Sequence, residues 1–378
     1  MDLTRLCMRM LSRVSRTHAI KCFRRHQHVS LPQHAKAVPP KIYDLITAHR
    51  NSQVLMAACD LKIFDELEKN RGRPMTAEDV AKRLDLDPDA TEKLLNVLAG
   101  MELLKKHWDI VGTGLFANTQ ESRQCFLTKN KQNVTNYVME ELNTGVPAFN
   151  MIKETLQSGG RLKQPDENDE ETHGFIQSNN SPELEFPITE AKNALAEALA
   201  PNLVSAFELE KHNTCIIIGD CSSIAVEMCH TYPHMNTTFF AINEAASEYS
   251  LENKIPDNLV IQSIDVMNDS IPSCDLLVLS HVIRELDEEN TRNVLTKCAS
   301  ALKEGGTLQI LEKMINDKKD GPLLTLTTDL LLFMLKGSHS YSFDDFRKLL
   351  KPHGFSNVQC KIMVDDPFYD ILIAEKKH

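Results

Sequence analysis

The chain has 378 residues, 42% hydrophobic and 25% charged, the balance of an ordinary globular protein long enough for two cored domains. Its formal net charge of −11 argues against broad adhesion to nucleic acid or anionic membrane, and no apolar run approaches the ~20 residues needed to span a bilayer. Ten cysteines scattered without a C-x-x-C pair suggest neither a zinc site nor a disulfide framework, and read as reduced, mostly buried thiols.

Residues 1–40 stand apart. Arg5, Arg9, Arg13 and Arg16 recur at helical spacing among Leu3, Leu6, Met10 and Leu11, and Asp2 is the only acid before Asp44. An amphipathic, Arg-rich, acid-poor leader has the composition of a mitochondrial transit peptide, so a mitochondrial location is expected. The other reading is a basic tail without a targeting role, which leaves the protein cytoplasmic.

From 41 to 127 the pattern is helical. Ile42, Leu45, Ile46, Val54, Leu55, Ala58 and Leu61 suit one or two amphipathic helices. Thr76 ahead of Ala77-Glu78-Asp79 is placed to cap a helix over Ala77–Leu84. Asp87-Pro88 opens a second helix over Asp89–Met101, a cap followed by proline at the first helical position. Gly112-Thr-Gly114 between Ile110 and Leu115 predicts a β-hairpin wing, and two short helices with a wing make a winged helix. Charge excludes nucleic acid as its partner. Glu78, Asp79, Asp85, Asp87, Asp89, Glu92 and Glu102 would face phosphates, against only Lys82, Arg83 and Lys93. Packing between subunits accounts for the unit better.

Residues 128–200 form a helical connection with an acidic loop, Gln164-Pro-Asp-Glu-Asn-Asp-Glu-Glu171, and a long helix from Ile188 to Leu199 that stops before Pro201. From 201 to 378 apolar strands alternate with helices. The strands are Cys215–Gly219, Thr238–Ile242, Leu259–Ser263, Asp275–Ser280 and Thr307–Glu312, with two more near Val358–Val364 and Asp370–Ala374. Such alternation predicts an open, mostly parallel α/β sheet. The strand ending at Gly219 runs through Asp220-Cys221-Ser222-Ser223 into a helix, the layout in which nucleotide-type cofactors are held by backbone N–H groups. Only one glycine stands there, and Asp220 brings a carboxylate into the turn.

The chain resembles the acetylserotonin O-methyltransferase-like family, S-adenosylmethionine-dependent enzymes of small molecules, across residues 41 to 378. The resemblance is carried by Val54-Leu-Met-Ala-Ala-Cys-Asp-Leu-Lys-Ile-Phe64, Thr76-Ala-Glu-Asp-Val-Ala-Lys-Arg-Leu84, Asp275-Leu-Leu-Val-Leu-Ser-His281, Leu308-Gln-Ile-Leu-Glu312 and Lys351-Pro-His-Gly-Phe355, in order. It implies a Rossmann-like methyltransferase sheet preceded by a helical winged-helix dimerisation domain, a homodimer or a pairing with a related methyltransferase, and S-adenosylmethionine as cofactor.

The family's site is altered at several positions. Where the family reads Asp-x-Gly-Gly-Gly-x-Gly, registering on Gly219 puts Ile217 at the aspartate and Asp220, Cys221 and Ser223 at three glycines. The acid that grips the ribose hydroxyls becomes Ala241, unless Glu244 reaches inward; losing two such bonds costs about 3–6 kcal/mol. Asp265 retains the next acidic landmark. Arg284 occupies the position of the family's histidine base, and a guanidinium cannot accept a proton at neutral pH. Of the two glutamates that orient that histidine, Glu312 is kept and the second falls near Ser340. His281, or His339 after a loop movement, would have to serve as substitute base. The resemblance thus implies a degenerate member, with an active methyltransferase of a small aromatic or indole hydroxyl as the alternative. Arg284, Asp220 and Glu312 are expected to form a charge network across the site.

Overall fold

The computed structural model describes residues 39–130, 133–159, 182–243, 255–364 and 366–377, without the side chains of 182–188, 190 and 191. The basic leader, the acidic stretch 164–171 and Glu244 lie outside the described residues. The chain divides into two compact units between Met139 and Glu140.

The first unit opens with helices α1 (Pro40–Asp60) and α2 (Ile63–Lys69), then α3 (Ala77–Leu84) and α4 (Pro88–Gly100). Local chemistry sets the last two. The Thr76 hydroxyl accepts from Asp79 N at 3.0 Å and the Asp87 carboxylate from Ala90 N at 2.8 Å, each satisfying a donor the helix leaves open. Strands β1 (Met75–Thr76), β2 (Leu104–Trp108) and β3 (Gly114–Asn118) form a small antiparallel sheet in the order β1-β3-β2. Phe64, Leu67, Val80, Leu95, Leu98 and Phe116 are buried between them as one core. The winged arrangement expected from the sequence is present, and helices α5 (Gln120–Cys125), α6 (Thr135–Glu140), α7 (Val146–Asn150) and α8 (Ile152–Ser158) follow it in the chain.

The second unit is built on a seven-stranded sheet: β4 (Thr214–Gly219), β5 (Asn236–Ala241), β6 (Leu259–Ser263), β7 (Cys274–Ser280), β8 (Leu302–Glu312), β9 (Phe355–Lys361) and β10 (Asp370–Lys376). Their order is β6-β5-β4-β7-β8-β10-β9, with β4 to β8 parallel and β10 antiparallel to both its neighbours. The run Cys215-Ile-Ile-Ile218 is apolar throughout because both faces are covered. Ile216 and Ile218 pack with helices α11 (Glu288–Ala301) and α13 (Phe343–Leu350) through Val294, Leu295, Phe346 and Leu350. Ile217 faces the other way, onto α9 (Pro182–Val204) and α10 (Ser223–Thr231) through Leu199, Leu203, Ile224 and Met228.

One boundary departs from the sequence reading. Helix α9 does not stop before Pro201 but continues through it to Val204. A proline forfeits one N–H bond, and Leu199, Leu203 and Val204 bury apolar surface on either side of it that keeps the last turn in place. The chain leaves β4 toward β5 and β6 on one side and returns through β7 on the other. That reversal puts the switch point of the sheet between β4 and β7, at whose carboxyl ends open α/β sheets hold ligands.

Candidate active site

Gly219 closes β4 beside Ser280, the last residue of β7. A Cβ at Gly219 would stand 2.8 Å from the Ser280 carbonyl oxygen, so this glycine is required by the approach of two strands. Its place in the site is backbone packing, where the sequence suggested contact with a cofactor.

The turn that follows is satisfied from within the protein. Asn193, fully buried on α9, accepts from Ser223 N at 3.2 Å and from the Ser223 hydroxyl at 3.0 Å through Oδ1. Its Nδ2 donates to the carbonyls of Thr189 at 3.0 Å and Asp220 at 3.4 Å. No side chain of the turn itself caps α10, and the Asn193 carboxamide takes the free N–H where an anion is commonly received. One residue earlier on α9, Lys192 Nζ stands 3.5 Å from Asp220 Oδ2. Burial opposes the charge on Asp220, yet the ammonium of Lys192 and, after it, His281, the Cys221 thiol and the guanidinium of Arg284 hold the carboxyl below the usual range. Lys192 is raised above the ordinary lysine range by Asp220 in spite of its own desolvation. The Asp220 carboxylate is buried beside the Cys221 thiol, its other neighbour in the turn.

The β9–β10 loop packs against this turn, with Tyr369 beside Cys221 and Asp220. Asp366 accepts from Phe368 N at 2.7 Å and Tyr369 N at 3.0 Å, which fixes Tyr369 just ahead of β10. The Tyr369 ring stacks on His281 with centroids 4.4 Å apart and planes 12° from parallel. Burial first, then Cys221 and Asp220 beside it, push the Tyr369 hydroxyl well above its ordinary pKa. His281 follows β7 with φ +55° and places Nε2 3.1 Å from the Phe368 carbonyl. Burial and then Arg284 push its pKa down to about 4, so it is neutral at pH 7.

Arg284 lies in a short turn, Ile283–Glu285, and is held by its backbone: its N–H is 3.1 and 3.2 Å from the two carboxylate oxygens of Glu312. Burial pushes Glu312 up to about 7, against the opposing pull of Arg284. The expected network of Arg284, Asp220 and Glu312 is therefore corrected. Asp220 pairs with Lys192, Glu312 binds a main-chain amide, and the neighbouring Glu285 pairs with Lys336 of helix α12 (Leu323–Lys336). Arg284 acts on the acids through space.

The remaining sequence candidates are spread out. Ala241 ends β5, buried and in register with Gly219, and supplies no carboxylate. Asp265 is exposed and spends its carboxylate on its own turn, accepting from Met267 N at 2.9 Å and Asn268 Nδ2 at 2.7 Å. Those bonds, Asn268 foremost, hold it below the ordinary range. Beside it a recess of about 360 Å³ is lined by Ala241, Ile242, Asn243, Ser263, Ile264, Asp265 and Val266. His339 is exposed and tilted against Phe333 at 5.6 Å between centroids, and Ser340 N donates to Asp329 of α12. The residues that sequence reasoning missed are Lys192, Asn193 and Tyr369. Their one signal is a lysine and an asparagine adjacent in a long helix, which by itself names no partner.

Comparison with known proteins places this geometry. The O-methyltransferase domain family matches residues 164–356, and the O-methyltransferase dimerisation domain family matches residues 43–129. The chain belongs to the O-methyltransferase family. It is 25% identical to human acetylserotonin O-methyltransferase over 348 residues, 88% of this chain and 98% of that protein. The chicken acetylserotonin O-methyltransferase is 22% identical over 343 residues, covering 89% and 97%. A human probable bifunctional dTTP/UTP pyrophosphatase/methyltransferase protein is 24% identical over 329 residues; this chain spans about half of it, 85% of the one against 51% of the other. Among solved structures, human N-acetylserotonin methyltransferase in complex with SAM superposes with a TM-score of 0.80 at 21% identity, covering 93% of this chain and 100% of that one. PigF with SAH gives 0.76 at 21% identity, covering 90% and 100%. At that identity the likeness establishes the fold of an S-adenosylmethionine-dependent methyltransferase, with a helical dimerisation domain ahead of a Rossmann-like sheet.

Proposed function

We propose that this O-methyltransferase-family chain no longer transfers methyl groups. It serves instead as a dimer-forming binding, scaffolding or regulatory protein, pairing with its own copy or with an active relative. One observation carries the reading: the turn after β4 is already occupied from α9, with Asn193 on the Ser223 N–H and Lys192 on Asp220. S-adenosylmethionine brings a carboxylate, an ammonium, a sulfonium and a ribose diol. The carboxylate would compete with Asn193 for the helix end, and the positive groups with Lys192 for Asp220. The diol would meet Ala241, which has nothing to accept its hydrogen bonds. The described residues do not fit the cofactor.

Arg284 supports the same reading, since a permanently charged guanidinium cannot take the proton of an attacking hydroxyl. The test is incubation of the purified full-length protein with S-adenosylmethionine carrying a labelled methyl group and a panel of phenols, indoles and other small hydroxylated acceptors. No labelled product is expected. Turnover on any acceptor overturns the proposal.

The recess at the ends of β5 and β6 favours a second reading, an active O-methyltransferase of a small aromatic or indole hydroxyl, because space for a planar group remains there. His281, neutral at pH 7, would then have to replace the missing base. We also propose that the leader directs import into mitochondria, on the Arg5, Arg9, Arg13 and Arg16 pattern; N-terminal sequencing of the mature protein tests it, and an intact Met1 contradicts it.

A further inference from the structure

Lys192 and Asn193 are neighbours on α9 with separate tasks. Asn193 fastens the helix to the turn through Ser223 and the Asp220 carbonyl, and Ala196, Leu199 and Leu203 bury the turns that follow in the core. The course of α9 therefore does not depend on the lysine. The Lys192 side chain is partly exposed along its stem and sends its ammonium inward, 3.5 Å from Asp220 Oδ2. That is longer than the ~2.7–2.9 Å of a direct charged hydrogen bond, so the ammonium rests among acids and is not locked to one of them. Against its own desolvation, Asp220 and then Glu140, Glu285 and the Cys221 thiol favour its charged form. Glu140 is the first residue of the second unit and keeps Oε2 buried without a hydrogen-bond partner. Glu285 is shared with Lys336.

We propose that Lys192 is a tethered ligand: it plugs an ammonium receptacle bounded by Asp220, Glu140 and Glu285, and its withdrawal leaves a binding site for a small primary amine. The acids set the ligand class. Asp220 stays ionised in spite of its burial, and a buried carboxylate stripped of its counter-ion is costly, so the receptacle calls for a cation. A primary ammonium brings several N–H donors to carboxylates on more than one side, whereas a quaternary ammonium has none to give. In the parent protein an outside amine meets a lysine held in place at high effective concentration and does not displace it. The inference rests on the reading that the turn is filled from α9, and goes beyond it by assigning the receptacle a ligand.

Lys192→Ala removes Cγ, Cδ, Cε and Nζ, the atoms that propylamine carries. The full-length variant and the parent are titrated with propylamine hydrochloride at neutral pH and followed by thermal unfolding. Potassium chloride and tetramethylammonium chloride at matched ionic strength are the controls. A saturable rise in Tm that returns most of what the substitution lost is expected in Lys192→Ala and not in the parent. It should vanish when Asp220→Asn is added to the variant. If Lys192→Ala does not fold unaided, its refolding yield with and without propylamine reads the same contrast. A variant indifferent to propylamine overturns the proposal, as does an equal response of the parent or an equal response to tetramethylammonium. Methyl transfer by the parent, read in the labelled assay, would sink the proposed function without touching the amine response, so the two can fail separately.

Discussion

Lys192 Nζ and Asp220 Oδ2 are 3.5 Å apart, an ammonium on α9 set against a carboxylate in the turn where the fold would otherwise receive a ligand. The pair is unequal in its surroundings: the Asp220 side chain is 11% exposed and that of Lys192 38%. Removing the lysine leaves a buried carboxylate without its counter-ion, while water reaches the vacated side.

Lys192→Met is therefore expected to destabilise the protein by about 1–3 kcal/mol, below the ~3–5 kcal/mol of a fully buried pair because solvent screens the lysine end. Asp220 is depressed in the folded state, so its contribution is present above the unfolded carboxyl pKa and lost as pH falls through the folded value. Urea denaturation at pH 7 and again near pH 3 checks both statements. The variant and parent should converge at the lower pH.

Glu312 titrates in the opposite sense. Its pKa is raised to about 7, so the folded state favours the protonated acid. Stability from this group is fully present below the unfolded glutamate pKa and declines as pH rises through about 7. Glu312→Gln keeps an acceptor for the Arg284 N–H without a charge to bury. It is expected to gain on the parent between pH 5 and pH 8, by up to roughly 3 kcal/mol. Parallel pH profiles of chemical denaturation would contradict the assignment.

His281 is expected to remain neutral through the physiological range. With its pKa pushed down to about 4, its imidazole resonances should not titrate between pH 8 and pH 5.5. Its stabilising effect is present above the unfolded histidine pKa and disappears as pH drops through about 4. Heteronuclear imidazole NMR, assigned with His281→Gln, makes the measurement. A midpoint near 6.5 would show the ring to be open to solvent.

What the sequence made legible follows from how local each determinant is. Thr76 and Asp87 cap their helices through bonds to residues three positions on, so a short stretch of sequence contains the whole cause. Cys215-Ile-Ile-Ile218 reads as a central strand because its apolar run is continuous, and both faces are indeed buried. The occupation of the turn was not legible. Asn193 and Asp220 are 27 residues apart, and nothing in a lysine–asparagine pair on a helix names the turn it will enter. The stacking of Tyr369 on His281 depends on β10 running antiparallel beside β8, a pairing fixed by the sheet as a whole. The direct partners of the altered positions are not legible for the same reason: Asp220 pairs with Lys192 on α9, Glu312 binds the Arg284 main chain, and the guanidinium reaches both acids only through space.

The most direct test is a thermal-shift titration of the full-length protein with S-adenosylmethionine and S-adenosylhomocysteine. A ligand at 100 times its Kd stabilises a folded protein by about 2.7 kcal/mol, an easily measured displacement of the transition. With Asn193 and Lys192 filling the turn, Tm is expected to stay unchanged up to millimolar concentrations of either compound. A saturable rise in Tm at micromolar concentration would contradict it.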